Sequence, residues 1–362
     1  MPLDIHVTYR VRSDAASIAD RARAIAVEQS VEMPVAAIDD DLVKNEIVGR
    51  VLAVSDCGDG RFAVRIALAS ATIGGDAGQL MNMLLGNTSI HDDVLLEDAE
   101  LPEALVRAFG GPRHGIGGLR RRAQAERRAL TCSALKPQGL SPAKLADLAC
   151  RFAEGGIDFI KDDHGLADQA YAPFAARIAA ISAALRGFGA SLRYVPSLNG
   201  DLDAMRAQIG AARDAGIDTV MVTPMVAGLS AVQRLVRENP DLAFLAHPAL
   251  AGSRISPALL FGKIFRMIGA DALVYPNHGG RFGYSRETCR TLAETARADW
   301  HGLKPALPVP AGGMTTDRVG EMLDFYGPDT MLLIGGGLLT ARERLTQETR
   351  RFVEAVKGHR YE

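Results

Sequence analysis

Cysteine is scarce: Cys57, Cys132, Cys150 and Cys289 lie far apart and form no CxxC pair. That spacing excludes a zinc ribbon and a disulfide framework, and it points to a reducing compartment. Neither sign of charge prevails, since the formal net charge is −2 and the only basic concentration is the short stretch Arg120 to Arg128. A chain without a basic face has nothing to draw it to nucleic acid. No apolar run reaches the roughly 18 residues that a membrane-spanning helix needs. The beginning, MPLDIHVTYR, has no apolar signal core. Low-complexity tracts and internal repeats longer than one strand and helix are absent as well. The expectation is a soluble, cytoplasmic protein with no nucleic-acid or membrane partner.

What is present is ample apolar material. The 362 residues are 48% hydrophobic and 23% charged, enough for a large core and more than one compact domain. From Ala129 onward, short β-branched runs alternate with longer amphipathic segments rich in Ala and Arg. Candidate strands lie at Ala129–Ala134, Ile157–Lys161, Leu192–Ser197, Thr219–Thr223, Ala243–Ala246, Ala272–Tyr275, Leu307–Pro310 and Met331–Ile334. Eight strand–helix units in about 230 residues predict a (β/α)8 TIM barrel over 126–362, with an open doubly wound sheet as the alternative. The first part reads differently. HVTYRVR and RFAVRIALA alternate as strands, while Ala15–Val27 and Gly78–Leu85 have helical periodicity. They predict an α+β, ferredoxin-like cap over 1–125, joined to the barrel by Gly110 to Arg128.

Barrel enzymes build their sites at the C-terminal ends of the strands. The first strand runs into Lys136-Pro137-Gln138-Gly139, where a desolvated lysine would suit a general base and a salt-bridged one would be merely structural. The second runs into Lys161-Asp162-Asp163-His164-Gly165. So many ionisable groups after an apolar strand are costly unless they bind a metal or pair with one another. His247 ends the fifth strand, and Asn277-His278-Gly279-Gly280-Arg281 follows the sixth. After the seventh and eighth come Gly312-Gly313 and Gly335-Gly336-Gly337, whose backbone N–H groups are suited to a phosphate.

In this order the motifs resemble the RuBisCO large-chain superfamily, in particular its form IV, the RuBisCO-like proteins. AIAVEQS with Glu28, LLGNTS with Asn87, AFGGPRHGI, ALKPQGL, GGIDFIKDDHG, His247, AGG and GGG carry the resemblance over nearly the whole chain. It implies that Lys136 is the proton-abstracting base and that Lys161 takes up CO₂ as a carbamate. It also implies Mg²⁺, or Mn²⁺, held by Lys161, Asp163 and His164. Oxygen donors suit Mg²⁺ better than imidazole does, so His164 stands either on the metal or just behind it. His247 and His278 join Lys136 and Lys161 as catalytic candidates. Gly312, Gly313, Gly335 and Gly336 would hold the phosphate, with Gln138 and Arg281 on the substrate. Glu28 and Asn87 would reach the substrate from the partner cap of a homodimer with shared active sites.

Three departures bear on the reaction. Gln138 stands where the carboxylases have a second lysine, Pro248 where they have a phosphate-gripping arginine, and only Arg281 is offered by the loop after the sixth strand. The loss at Pro248 alone removes a charge-assisted contact of about 1.5–3 kcal/mol. The resemblance therefore implies a singly phosphorylated keto-sugar and no carboxylation of ribulose bisphosphate. Isomerisation of the 5-methylthioribulose-1-phosphate type is the leading reading. Decarboxylation of a β-keto sugar acid such as 3-oxo-isoapionate 4-phosphate is the alternative, followed by a catalytically silent phosphate-binding protein and by an unrelated aldolase or isomerase barrel.

Overall fold

A computed structural model describes residues 4–252 and 254–361. They form two compact units, one of the residues up to Gly110 joined by Ala251–Leu260, the other of Gly111–Leu250 joined by the residues from Phe261 on.

The first unit holds an antiparallel sheet of β1 (Ile5–Arg12), β2 (Arg50–Asp56), β3 (Arg61–Leu68) and β4 (Val94–Glu100), in the order β2-β3-β1-β4. Alternation in β1 buries Ile5, Val7, Tyr9 and Val11 completely, as a two-residue period requires of a strand with one covered face. The helix Ile18–Glu28 buries Ile18, Ala22, Ile25 and Ala26, a stripe of helical spacing. With the helix Ala77–Leu84, capped by Asp76 on the N–H of Gln79, and apart from the short helix Asp41–Glu46, the order is βαββαβ, the ferredoxin-like arrangement. The outer edge of β4 is partly covered, because the Leu96 N–H donates to the Arg254 carbonyl at 2.8 Å and the Ser256 N–H to the Leu96 carbonyl at 2.8 Å.

The second unit carries eight parallel strands: β5 (Leu130–Leu135), β6 (Phe159–Asp162), β7 (Arg193–Val195), β8 (Thr219–Val222), β9 (Ala243–Ala246), β10 (Ala272–Pro276), β11 (Leu307–Ala311) and β12 (Met331–Leu333). They run as two four-stranded sets, β12-β5-β6-β7 and β8-β9-β10-β11. A parallel bridge between Ser197 and Met221 joins the sets on one side. On the other, the Thr330 hydroxyl donates to the Pro308 carbonyl at 3.1 Å. Helices return the chain between strands, several begun by side-chain caps: Ser141 on Lys144, Asp201 on Ala204 and Ser285 on Thr288. Among the described residues no helix is long and apolar enough to cross a membrane.

The barrel interior is filled by Leu130, Cys132, Phe159, Val195, Met221, Leu245, Val274, Val309 and Leu333, with Ile116 and Leu119 of the helix Gly115–Arg122 packed among them. That helix lies at the N-terminal ends of the strands, where the Gly115 N–H donates to Asp271 at 2.6 Å and the Ile116 N–H to the Pro305 carbonyl at 3.1 Å. The segment expected to join cap and barrel thus contributes to the barrel's own packing. Each fully buried side chain of this size stabilises the fold by about 1.5–3 kcal/mol. The same two-residue period determines what faces the other end of the barrel. Counting two by two from Cys132, Phe159, Met221 and Leu245 leads to Lys136, Lys161 with Asp163, Thr223 and His247.

Candidate active site

At the C-terminal ends of the strands, Lys136 Nζ meets Asp163 Oδ1 at 2.8 Å, with Asp163 largely buried and Lys136 one-third exposed. The same carboxylate oxygen accepts the His164 backbone N–H at 3.0 Å and lies 3.2 Å from His164 Nδ1. Burial pushes the Asp163 carboxyl up, but the contacts from His164 and Lys136 outweigh it and hold the group well below the usual carboxylate range. Asp163 is therefore an anion that gathers its two neighbours.

Lys161 is 3% exposed. Its ammonium donates to the Asp162 carbonyl at 2.8 Å, and among the described residues it forms no ion pair. Burial, reinforced by the positive charge of Lys136, lowers its pKa below the ordinary lysine value. The strand carrying it is clamped from behind. The fully buried Asp162 accepts from Arg177 Nε at 3.1 Å, from the Tyr194 hydroxyl at 2.8 Å and from the Ser197 N–H at 3.1 Å. At the foot of the strand Asp158 takes both arms of Arg128 at 2.7 Å.

His164 and His247 stack with ring centroids 4.2 Å apart and planes 9° from parallel. Burial and the charges of Lys161 and His164 push His247 down to about 2, so its imidazole is neutral. Its Nδ1 accepts the Ala249 N–H at 3.3 Å, which places the ring proton on Nε2. Lys136, Lys161, Asp163, His164 and His247 thus share one mouth. Gln138 adjoins them, since a Cβ at Gly165 would stand 1.7 Å from its Nε2 and would have to displace that amide.

The glycine-rich loops also converge. Gly312 and Gly313 adopt φ of +81° and +93°, in the left-handed region that favours glycine. A Cβ on Gly313 would stand 3.0 Å from the Gly280 Cα, and one on Gly337 would stand 2.6 Å from the Met314 carbonyl oxygen. The loops after β10, β11 and β12 are therefore in close contact, and a Cβ on Gly335 would stand 3.9 Å from the Ala134 Cβ of β5. Arg281 is exposed, its guanidinium 4.7 Å from the Phe282 ring.

His278 is placed differently from the other candidates. Its ring stands edge-on to Phe325 of the helix Val319–Tyr326, 4.6 Å between centroids, while the preceding Asn277 accepts from Tyr326 at 2.7 Å. The structure gives it no contact with the lysine cluster. In the first unit, Asn87 Nδ2 donates to Glu28 at 3.0 Å and to Glu32 at 2.9 Å. The expected pair is together there, with Glu32 as an unforeseen third member. The strand period also points Ser197 and Thr223 inward at the same end of the barrel.

For a divalent ion the donor set is incomplete in unmodified form. Among the described residues no three His, Cys, Asp or Glu side chains are grouped to hold one. Asp163 and His164 supply a carboxylate and an imidazole, the latter free at Nε2 when Nδ1 donates to Asp163. A buried lysine without an ion-pair partner and with a lowered pKa is suited to become the third, as a carbamate. The residues fit such an ion on that condition.

Comparison with known proteins identifies the family. The family described as ribulose bisphosphate carboxylase large chain, catalytic domain, matches residues 115–342. The chain is 58% identical over 360 residues to 5-methylthioribulose-1-phosphate isomerase of Rhodospirillum rubrum, covering 98% of this chain and 96% of that protein. It is 55% identical over 360 residues to ribulose bisphosphate carboxylase-like protein 1 of Rhodopseudomonas palustris, with 98% of each covered. The crystal structure of a Rubisco-like protein from Rhodopseudomonas palustris matches with a TM-score of 0.92 at 50% identity, covering 99% of both chains.

Proposed function

The chain belongs to the ribulose bisphosphate carboxylase large-chain family, and we propose that it is a non-carboxylating RuBisCO-like enzyme that isomerises 5-methylthioribulose 1-phosphate. The observation that carries this reading is the shared mouth of Lys136, Lys161, Asp163, His164 and His247, in a chain similar along its length to an enzyme of that name. Gln138 and Pro248 leave no cationic grip for a second phosphate at their positions, which favours a substrate with one.

Lys136, as the free amine, removes the proton from the carbon beside the substrate ketone, and the electron pair moves onto the carbonyl oxygen. Returning a proton to the other carbon completes an isomerisation with no net change in composition. Asp163 receives the ammonium that Lys136 becomes and holds it at the mouth. His247 stays neutral and offers Nε2–H to a substrate oxygen. Gly312, Gly313, Gly335 and Gly336 receive the phosphate on backbone N–H groups beside the strand that carries the base. Arg281 completes the rim.

RuBisCO-like proteins generally use Mg²⁺; here Asp163, His164 and carbamylated Lys161 would hold it. When bound it supplies positive charge against the developing oxyanion. A homodimer would complete each site with Glu28 and Asn87 of the opposite cap, the first half-buried, the second exposed, and hydrogen-bonded to each other.

The test is to supply 5-methylthioribulose 1-phosphate, 3-oxo-isoapionate 4-phosphate and ribulose bisphosphate with bicarbonate, each with and without a chelator. Chelator-sensitive isomerisation of the first is expected. CO₂ release from the second would select the decarboxylase, carboxylation of the third would overturn the departures, and inertness towards all three would favour a binding protein.

A further inference from the structure

Between β6 and β9 the ends of two strands contribute inward polar side chains, Ser197 level with Met221 and Thr223 level with His247, and one of these is uncommitted. Ser197 accepts Asn199 Nδ2 at 3.1 Å. Thr223 is 3% exposed, and its hydroxyl has no hydrogen-bond partner among the described residues. The ordinary duty of a threonine at this position would be capping, since it immediately precedes the short helix Pro224–Ala227 with a proline at its first position. That bond is not made.

The backbone fixes where the side chain points. Leu198 donates to the Met221 carbonyl at 2.8 Å and Met221 to the Pro196 carbonyl at 2.9 Å on one side, and His247 donates to the Val222 carbonyl at 2.8 Å on the other. The strand is thus held from both sides up to the residue before Thr223. Met221 lies in the interior cluster, so Thr223, two residues on, faces the mouth between Ser197 and His247. A neutral hydroxyl, able to donate one hydrogen bond and accept two, matches a sugar hydroxyl better than a phosphate, whose own cradle lies on the loops after β11 and β12.

We propose that Thr223 is a substrate-binding residue that recognises a hydroxyl group of the keto-sugar, an inference that rests on the sugar-phosphate reading of this site. It is a specificity device, because a hydroxyl built to meet a sugar oxygen discriminates against analogues lacking that oxygen.

The experiment compares wild type, Thr223→Val and Thr223→Ser on 5-methylthioribulose 1-phosphate and on its deoxy analogues, each lacking one hydroxyl. Thr223→Val should lower kcat/KM by about 10- to 100-fold, and Thr223→Ser should stay within about threefold of wild type. For the analogue that lacks the recognised hydroxyl, wild type and Thr223→Val should perform alike. The melting temperature of ligand-free Thr223→Val should be equal or higher, the reverse of what loss of a structural hydrogen bond would give. Turnover by Thr223→Val equal to wild type would overturn the proposal, as would a Thr223→Ser variant as poor as the valine one. A wild-type protein that turns over none of these sugars strikes the functional reading instead, which separates the two failures.

Discussion

Replacing Lys161 with methionine should make the protein more stable while removing its activity. Lys161 is 3% exposed, donates one hydrogen bond, at 2.8 Å to the Asp162 carbonyl, and forms no ion pair among the described residues. Methionine of similar length forfeits that charged hydrogen bond, about 1.5–3 kcal/mol, but spares a residual desolvation penalty of several kcal/mol for a buried ion. Asp163 is not stranded by the change, since Lys136 stays 2.8 Å from it. The net gain is about 1–3 kcal/mol. At about 2.1 cal/mol/K of unfolding entropy per residue, 1 kcal/mol moves the melting temperature of a 362-residue chain by about 1–1.5 °C, so the rise is measurable. The sign with pH follows from burial, which puts the folded pKa below the unfolded value of 10.5. Below the folded pKa the amine is charged in both states, and the folded state bears the cost in full. Between the two values the unfolded state binds more protons, so wild-type stability from this group rises with pH. The advantage of Lys161→Met should therefore be largest at acidic and neutral pH and shrink towards alkaline pH. Calorimetric melts in CO₂-free buffer across that range test this. A variant that melts below wild type at neutral pH would refute the burial argument.

Gly336→Asp should leave the fold intact, because a Cβ there meets nothing within 4 Å, yet raise KM sharply by setting a carboxylate against the phosphate; an unchanged KM would put the anion elsewhere. Arg177→Met should cost about 3–5 kcal/mol by leaving Asp162 buried and unpaired, with part of the loss recovered in Arg177→Met/Asp162→Asn; denaturant titration measures both, and equal stability of the single and double variants would contradict the pairing. Mixing inactive Asn87→Ala with inactive Lys136→Met, after unfolding and refolding together, should restore about one quarter of wild-type activity if each site combines one barrel with the opposite cap of a twofold dimer; no recovery would count against shared sites.

All eight barrel strands were legible because their interiors demand apolar residues at every second position, and expected and observed ranges overlap throughout. β2 and β4 were not. In RVLAVSD all residues but Val51 are exposed, and the register shifts between Val51 and Ala53, so no alternation survives to be read. In VLLEDAE the covered residues are spread over an acidic strand paired across a bulge at Thr8 and Tyr9. At the site, strand-end position located Lys136, Lys161, Asp163 and His247, because a two-residue period fixes which way a strand residue faces. It could not place His278, which follows the strand's last paired residues and turns its ring to Phe325. The stack of His164 on His247 depends on two loops meeting in space, and nothing local in either segment encodes it.

The central claim is that Lys136 moves the proton, and solvent deuterium uptake by 5-methylthioribulose 1-phosphate in Lys136→Met measures it most directly. Methionine keeps the stem and deletes the amine, and His164 remains on Asp163 at 3.2 Å. Folding and phosphate binding should therefore survive, while exchange and turnover fall together by about 10²–10⁴-fold. Exchange persisting at the wild-type rate in Lys136→Met would contradict the account and place the base elsewhere.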